Sequence, residues 1–310
     1  MISIGFLLID GFALMSYSSV IEPLRAANLL SEKKLYKFIN FSVNRTAKSS
    51  SDAIIDTQII GNEKDKLDMV IVCAGGDPFL FNNIKVFDWL RKKSREGVTL
   101  VGVSGGPVIL VKAGLMDGKR MTLHWEHADT FREIWPNILL EKSLFVIDRK
   151  RITCAGGIAP LDLMFTLISN HNGESFARKV SDWFMHTEVR PSEGPQRSGI
   201  VERYNVNNSK IVSAIEIMEN NLSNTLSLKE ISEIVDISPR QLNRLFKKNL
   251  NKTTMDVYRK LRLELAQKLL KQSQFSITEI AFSCGFSSSS QFSQSFKEKF
   301  GVMPSQYKNL

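Results

Sequence analysis

Two hydrophobic periodicities divide this chain of 310 residues. Up to residue 186, short β-branched runs alternate with longer stretches whose apolar residues recur at helical spacing. The short runs predict strands at Ile2–Ile9, Phe38–Asn44, Asp68–Cys73, Thr99–Val103 and Leu144–Ile147. The longer stretches predict helices at Met15–Leu30, Ile84–Arg95, Pro107–Ala113 and Leu161–Ser169. This alternation favours an α/β fold with a mostly parallel sheet covered by helices on both faces.

The C-terminal third has helical periodicity only, and its pattern occurs twice. Residues 230–238 are matched by residues 279–287, 49 positions later. Beyond that point, Leu242, Phe246 and Leu250 match Phe292, Phe296 and Phe300 at an offset of 50. Each copy predicts a helix, a sharp turn and a second helix, so we expect an all-α domain with two helix-turn-helix units.

In the first unit, the pattern predicts a helix over Leu228–Val235, a turn at Asp236 with positive φ, and a second helix begun by Ser238 and Pro239. Arg, Asn and Gln can bond base edges in the DNA major groove, although charged residues also occur on any solvated helix face. The candidate DNA-binding residues here are Ser238, Arg240, Gln241, Asn243, Arg244 and Lys247.

The second unit is predicted as a helix over Ile277–Cys284, a turn at Gly285-Phe286 and a helix over Ser288–Lys299. Its candidate DNA-binding residues are Ser288, Ser289, Ser290, Ser293, Gln294 and Lys297. This face carries less charge, so we expect the first unit to read bases and the second mainly to position the protein. A connecting helix over Thr254–Lys271 would span roughly 27 Å, which suits adjacent major grooves about 34 Å apart.

Charge and composition sharpen this division. The net charge is +9, and residues 207–310 hold 15 Lys and Arg against 9 Asp and Glu. That local excess of basic residues favours a polyanionic partner for the C-terminal domain. Residues 187–208, rich in Pro and Gly at their start, are predicted as a linker between domains at 1–186 and 209–310.

Other classes of protein are disfavoured by the sequence. No apolar run approaches the length of a membrane span, and the N-terminus lacks the features of a signal peptide. The three cysteines, Cys73, Cys154 and Cys284, are far apart and lack metal-ligand spacing. We therefore expect a cytoplasmic protein with reduced thiols, no membrane partner, no metal and no cofactor.

One motif in the N-terminal domain has the form of a catalytic turn. Residues 99–107 predict a strand, a Ser-Gly-Gly turn and a helix, with Ser104 at the apex as in a nucleophile elbow. His124 and Trp125 follow further along the chain. Such turns are also common for packing alone, and no acidic partner is evident, so a working serine nucleophile is the less favoured interpretation.

The C-terminal domain resembles the AraC/XylS regulators over residues 209–310. The matching residues are Arg262, Leu263, Ala266, Leu269, Leu270, Gly285, Phe286, Ser287, Gln291, Phe292, Phe296, Lys297, Phe300, Gly301, Val302, Pro304 and Tyr307. The resemblance implies base contacts from Arg240, Asn243, Arg244, Ser289, Ser290, Ser293 and Gln294. Many relatives have Arg at the position of Gln294, so this chain departs from the family there.

The N-terminal domain resembles the class I glutamine amidotransferase-like, PfpI-type domain of GlxA-type regulators over residues 1–186. The matching stretches are 5–8, 11–12, 21–28, 74–76, 113–118, 124–126 and 155–157. Enzymes of this superfamily place a cysteine at the elbow and a glutamate nearby, whereas this chain has Ser104 and no carboxylate in Gly11–Val20. A serine is a weaker nucleophile than a thiolate, so we expect no catalysis.

A ligand crevice remains as the expected site of this domain. In an open α/β sheet, ligands bind at the carboxyl ends of the strands. The candidate ligand-binding residues are Phe12, Gly75, Gly76, Ser104, Gly105, His124 and Trp125. The resemblance implies a small amine, betaine or amino-acid-like effector, whose cationic group Trp125 and Phe12 could cover.

The sequence thus predicts a transcriptional regulator, most simply an activator, that binds double-stranded promoter DNA and a small-molecule effector. The expected partners also include a second copy of the chain, with 181–185 as a candidate interface, and RNA polymerase. Two alternatives stay open: an amidase- or hydrolase-like enzyme carrying a DNA module, and a constitutive DNA-binding dimer without an effector.

Overall fold

The computed structural model describes residues 1–63 and 65–309. These residues form two compact units, a first unit up to Gln196 and a second unit from Arg197 onward. The strands are β1 (Ile2–Leu8), β2 (Tyr36–Ser42), β3 (Thr46–Lys48), β4 (Ile54–Asp56), β5 (Gln58–Ile59), β6 (Met69–Ala74), β7 (Thr99–Ser104), β8 (Arg120–Met121), β9 (Leu139–Leu140), β10 (Phe145–Asp148) and β11 (Arg151–Cys154). The helices of the first unit are α1 (Leu14–Leu30), α2 (Ile84–Arg95), α3 (Gly106–Lys112), α4 (Trp125–Ile134), α5 (Ala159–Asn172) and α6 (Glu174–Trp183). Those of the second unit are α7 (Ile200–Tyr204), α8 (Ser209–Asn220), α9 (Leu228–Ile234), α10 (Pro239–Leu250), α11 (Thr254–Gln272), α12 (Ile277–Ser283), α13 (Ser289–Phe300) and α14 (Pro304–Lys308).

Seven of the described strands form the main sheet, in the order β10-β11-β7-β6-β1-β2-β5. Every neighbouring pair in it is parallel except β10 and β11, which are antiparallel. Parallel strands bring their carboxyl ends to one edge, so the turns after β1, β6, β7 and β11 lie side by side.

Alternating side chains on the strands build a core on each face of this sheet. Ile4 and Phe6 pack with α1, α5 and α6 on one face, whereas Leu7 packs with α2, α3 and α4 on the other. Both layers are helical, which confirms the predicted α/β class with a mostly parallel, doubly covered sheet.

The structure confirms the predicted strands and helices of the first unit, with shifts of one to three residues at their ends. It adds the short strand β11, which pairs with β7 and with β10 and was not predicted. Four residues beginning with an arginine give little periodic signal, and the strand is defined by its neighbours rather than by its own sequence. The helices α4 and α6 were also missed.

The segment 187–208, predicted as a linker, is divided between the two units. Its first part belongs to the first unit, because the fully buried carboxylate of Asp162 accepts hydrogen bonds from the backbone N–H and the guanidinium of Arg190. Gln196 extends this attachment through its side chain. Further on, α7 packs with α8 in the core of the second unit.

The second unit has one hydrophobic cluster for each half of the sequence repeat. The first collects α8, α9, α10 and the start of α11, up to Leu261. The second begins at Leu263 and collects the rest of α11 with α12 and α13. A single helix of 19 residues, about 28 Å long, therefore joins the two halves.

No helix among the described residues is long and apolar enough to cross a bilayer.

Candidate nucleic-acid interface and ligand crevice

The first half of the repeat is a helix-turn-helix unit with well-defined helix ends. Ser227 and Glu230 form a capping box at the start of α9, and Ser238 and Gln241 form another at the start of α10. Between the helices, Asp236 has φ +54°, which confirms the predicted positive φ at the turn. Pro239 occupies the first turn of α10, where its missing N–H has no cost.

The second half repeats this geometry one residue longer. Ser276 and Glu279 cap α12, Gly285 turns the chain at φ +69°, and Ser288 caps α13. The two turn residues are 49 positions apart and the two following caps are 50 apart. The extra residue therefore lies between the turn and the second recognition helix, where the sequence offset predicted it.

The exposed face of α10 is strongly basic. Arg240, Arg244, Lys247 and Lys248 are all exposed to solvent. Asn243 differs, because it is only half-exposed and its Oδ1 accepts a hydrogen bond from the backbone N–H of Thr254 at 3.0 Å. This oxygen anchors the start of α11, a role that the sequence pattern did not reveal.

Ser238 and Gln241 also have structural partners. Gln241 accepts hydrogen bonds from the N–H and hydroxyl of Ser238, so the two side chains complete the cap. Contact of these residues with bases stays a prediction. The exposed arginines are the side chains on this helix with the geometry for bidentate base contacts.

The corresponding face of α13 is less basic. Gln294 donates to the carboxylate of Glu298 at 2.7 Å, and Lys299 is turned toward Lys260 O and Glu264. Ser290 and Lys297 are exposed, whereas Ser289 and Ser293 are partly buried. An acidic side chain on this surface weakens attraction to phosphate. The unequal roles of the two helix-turn-helix units in DNA binding stay a prediction.

In the first unit, the elbow after β7 has the strained geometry that the motif predicted. Ser104 has φ +57°, a conformation that non-glycine residues rarely adopt. Gly156, after β11, approaches so closely that a Cβ there would lie 2.9 Å from the Cα of Ser104. Gly75, after β6, has the same relation to the backbone of Gly11, with a Cβ reaching 2.5 Å from its carbonyl oxygen. Four turns thus meet around Ser104.

Two predicted crevice residues have structural roles instead. Phe12 is fully buried and packs edge-on against Tyr17 at 5.5 Å, so its ring cannot cover a ligand in this arrangement. The N–H of Gly105, a candidate ligand-binding residue, donates to Ala74 O at 3.1 Å, so this donor is occupied within the fold. Gly75 and Gly76, in the turn after β6, are partly buried and exposed respectively.

His124 and Trp125 begin α4, a helix that the sequence analysis missed. His124 caps it by accepting from the N–H of Glu126, and the Trp125 ring lies 5.3 Å from the His124 ring. His127 continues the cluster, with Phe79 edge-on at 5.5 Å. Phe131 lies seven residues, or two helical turns, after His124, and this spacing is the sequence feature that could have predicted the helix.

The chemistry around the elbow does not favour nucleophilic catalysis. Cys73 and Cys154 are fully buried, and burial raises the pKa of the Cys154 thiol to about 12. Burial raises the pKa of Cys73 as well. Such thiols stay protonated and inaccessible at neutral pH. Among the described residues, no cluster of His, Cys, Asp and Glu is arranged to hold a metal ion.

A separate cavity of about 540 Å³ opens between β10 and the segment 189–193. Its lining includes Arg120 and Arg190, but both guanidinium groups already have carboxylate partners, Glu141 and Asp162. These pairs make it a weaker candidate for an anionic ligand than its charge first indicates.

Comparison with known proteins agrees with this architecture. Residues 3–170 match the model of the DJ-1/PfpI family, and residues 231–309 match that of a helix-turn-helix domain. The HTH-type transcriptional regulator GlxA of Rhizobium meliloti is 40% identical over 97% of this chain and 94% of its own length. The regulator CdhR of Pseudomonas aeruginosa is 39% identical over 97% of this chain and 90% of its own.

A solved structure is similar in fold to part of this chain. An AraC family transcriptional regulator from Pseudomonas putida superimposes with a TM-score of 0.54 at 23% identity, covering 59% of this chain and all of that one. The chain belongs to the AraC-family transcriptional regulators of the GlxA, CdhR and GbdR type, in which a DJ-1/PfpI-family domain precedes a DNA-binding helix-turn-helix region.

Proposed function

We propose that the protein is an effector-responsive activator whose first unit binds a small amine, betaine or amino-acid-like metabolite without transforming it. The observation that carries this proposal is the strained elbow. The fold keeps the turn that exposes one side chain, yet places Ser104 on it instead of a thiol. A crevice with preserved geometry and a weak nucleophile is suited to binding.

The side chains near the elbow favour a cationic or zwitterionic ligand. Asp77 follows the turn after β6, and burial raises the pKa of its carboxyl group against the opposing N–H groups of Phe79 and Leu80. A cation placed beside it would favour the charged form of this carboxyl group. The partly exposed Trp125 ring supplies a face for an alkylated ammonium group.

Hydrogen bonds connect the start of α4, where the ligand is proposed to bind, to Gln196 at the end of the first unit. The side-chain amide of Gln196 donates to Ser143 O at 2.6 Å, to Thr122 Oγ1 at 3.1 Å and to Leu123 O at 3.2 Å. Leu123 immediately precedes His124, and Gln196 immediately precedes the second unit. We infer that movement of the α4 start changes the hold on Gln196, which is the differential contact that coupling requires.

The DNA contacts are proposed to be unequal. The basic face of α10 supplies most of the phosphate attraction and base reading, through Arg240 and Arg244, and α13 adds weaker polar contacts. Exposure of these arginines without a carboxylate partner among the described residues supports this division.

Assembly and location complete the proposal. Trp183 and Met185 are 50% and 88% exposed at the end of α6, and large exposed apolar side chains two residues apart favour a contact between two copies. We propose a cytoplasmic homodimer that contacts RNA polymerase at the promoter.

The test is a thermal-shift screen of the full chain against quaternary amines, amino acids and polyamines, followed by DNA affinity with each stabilising compound. Stabilisation together with a change in DNA affinity supports the regulator. Turnover of an amide or ester that Ser104→Ala abolishes would instead support the enzyme, and DNA affinity insensitive to every compound would support the constitutive dimer.

A further inference from the structure

The junction of the two helix-turn-helix units contains a half-buried arginine, Arg262. It lies on α11 between Leu261, the last residue of the first cluster, and Leu263, the first residue of the second. A cation at the boundary of two apolar clusters is costly unless its partners are specific. Its contacts therefore indicate what it is placed there to hold.

The guanidinium of Arg262 contacts the turn of the second helix-turn-helix unit. Its Nη1 donates to Gly285 O at 2.9 Å, and its Cζ lies 4.7 Å from the centre of the Phe286 ring. These two residues lie between α12 and the cap of α13. The position of the second recognition helix is thus tied to one point on α11.

The same guanidinium is also tied to the first helix-turn-helix unit. Its Cζ lies 5.5 Å from the ring of Tyr258, whose hydroxyl donates to Asn221 O and accepts from the N–H of Leu226 at 3.3 Å. The loop between Asn221 and Leu226 also lies against this turn, since a Cβ on Gly285 would lie 2.2 Å from Thr225 Cγ2. Arg262 and this loop hold the second turn from two sides.

The first recognition helix has its own attachment to α11. Asn243 of α10 accepts the Thr254 N–H at the first residue of α11. The two attachment points, at Thr254 and Arg262, are eight residues apart on one helix, or about 12 Å along its axis. Both recognition helices are therefore attached to the same helix, α11.

We propose that Arg262 is a positioning residue that fixes the rotation and distance of the second helix-turn-helix unit relative to the first. It thereby sets the spacing between the two DNA segments that the protein accepts. The proposal rests on the DNA binding described above, and it concerns the geometry of that binding rather than a base contact. Helical DNA turns by about one tenth of a revolution per base pair, so a fixed protein tolerates few changes in spacing.

The experiment uses duplexes that the full wild-type chain selects from a random pool, with the two contacted segments located by footprinting. One, two or five base pairs are then inserted between these segments. Dissociation constants are measured for the wild type, Arg262→Ala and Arg259→Ala. The last variant is the control, because Arg259 lies on the same helix, is exposed and carries the same charge.

We expect the wild type and Arg259→Ala to lose about tenfold or more in affinity on insertion of five base pairs, which moves the second segment to the opposite face. For Arg262→Ala we expect weaker binding at the native spacing and a profile that varies by less than about threefold. An equal loss at every spacing would show a merely structural role and overturn the proposal, as would an unchanged profile.

Two gentler variants keep the proposal testable if Arg262→Ala does not fold, as judged by circular dichroism. Arg262→Lys keeps the charge without the planar fork, and Phe286→Leu removes the ring beneath it. Each should flatten the spacing profile, and a steep profile in both overturns the proposal. Failure of the wild type to bind any duplex would instead refute the DNA-binding function itself.

Discussion

The attachment of residues 186–196 to the first unit depends on one buried carboxylate, and removing its main partner should loosen it. Asp162 is fully buried, whereas the Arg190 side chain is 33% exposed. In Arg190→Ala, Asp162 loses the guanidinium bonds at 3.0 and 2.6 Å but keeps the backbone N–H of residue 190 and the contact with His186 Nε2 at 3.1 Å.

The loss in the free energy of unfolding depends on the partners that Asp162 keeps. Breaking a buried ion pair by removing one partner costs about 3–5 kcal/mol. Two surviving partners and access of water through the vacated site reduce this to about 2–3 kcal/mol of the free energy of unfolding. For a unit of this size, that lowers the unfolding temperature by about 4–12 °C.

Tryptophan fluorescence measures this in the full chain, because all four tryptophans lie within residues 1–196. The control is Arg178→Ala, which removes an ion pair with Glu174 whose side chains are 71% and 81% exposed; its cost should stay below about 0.5 kcal/mol. Adding Asp162→Asn to Arg190→Ala should recover part of the loss, since the stranded charge is then gone. Equal unfolding temperatures for Arg190→Ala and Arg178→Ala would show that the buried Asp162–Arg190 pair stabilises the first unit no more than an exposed pair.

Three further predictions follow from single residues. Arg244→Ala should weaken binding to a selected duplex by about 1–3 kcal/mol and Lys297→Ala by less, measured by fluorescence anisotropy across a salt series; equal losses would contradict the unequal division between α10 and α13. Gly285→Ala should destabilise the second unit by about 2 kcal/mol or more, because both the positive φ and the Thr225 side chain oppose a Cβ. Gly301→Ala, with φ +80° but no atom within 4 Å of the added Cβ, should cost about 1 kcal/mol. Chemical unfolding followed by circular dichroism measures both costs, and similar values would argue against the steric reason. Gln196→Ala should increase hydrogen exchange in 192–200 and remove any effect of a bound metabolite on DNA affinity, and a retained effect would exclude Gln196 from the coupling route.

Much of the second unit was predictable because its determinants are local. Caps such as Ser227 and Ser238, the positive φ at Asp236 and Gly285, and the apolar spacing of α10 and α13 are properties of a few neighbouring residues. The alternation of strands and helices likewise predicted the sheet, because its central strands are continuous apolar runs.

The interactions that were not predicted are non-local. Strand β11 exists because β7 and β10 flank it, and Asn243 was assigned to DNA although Thr254, eleven residues away, takes its oxygen. Phe12 was assigned to a ligand, but Tyr17 and the core enclose it. The attachments of Arg190 and Gln196 depend on partners 28 and 53 or more residues distant, which no window of sequence reveals.

One paired measurement shows whether metabolite binding by the first unit, without catalysis, controls DNA binding. The affinity of the full chain for a selected duplex is measured with and without the compound that most stabilises it, for the wild type and for Trp125→Ala. We expect stabilisation of about 2.7 kcal/mol at 100 times the dissociation constant, a changed DNA affinity in the wild type, and loss of both effects in Trp125→Ala. A wild-type DNA affinity that no stabilising compound alters, or an effect that survives in Trp125→Ala, would contradict this expectation.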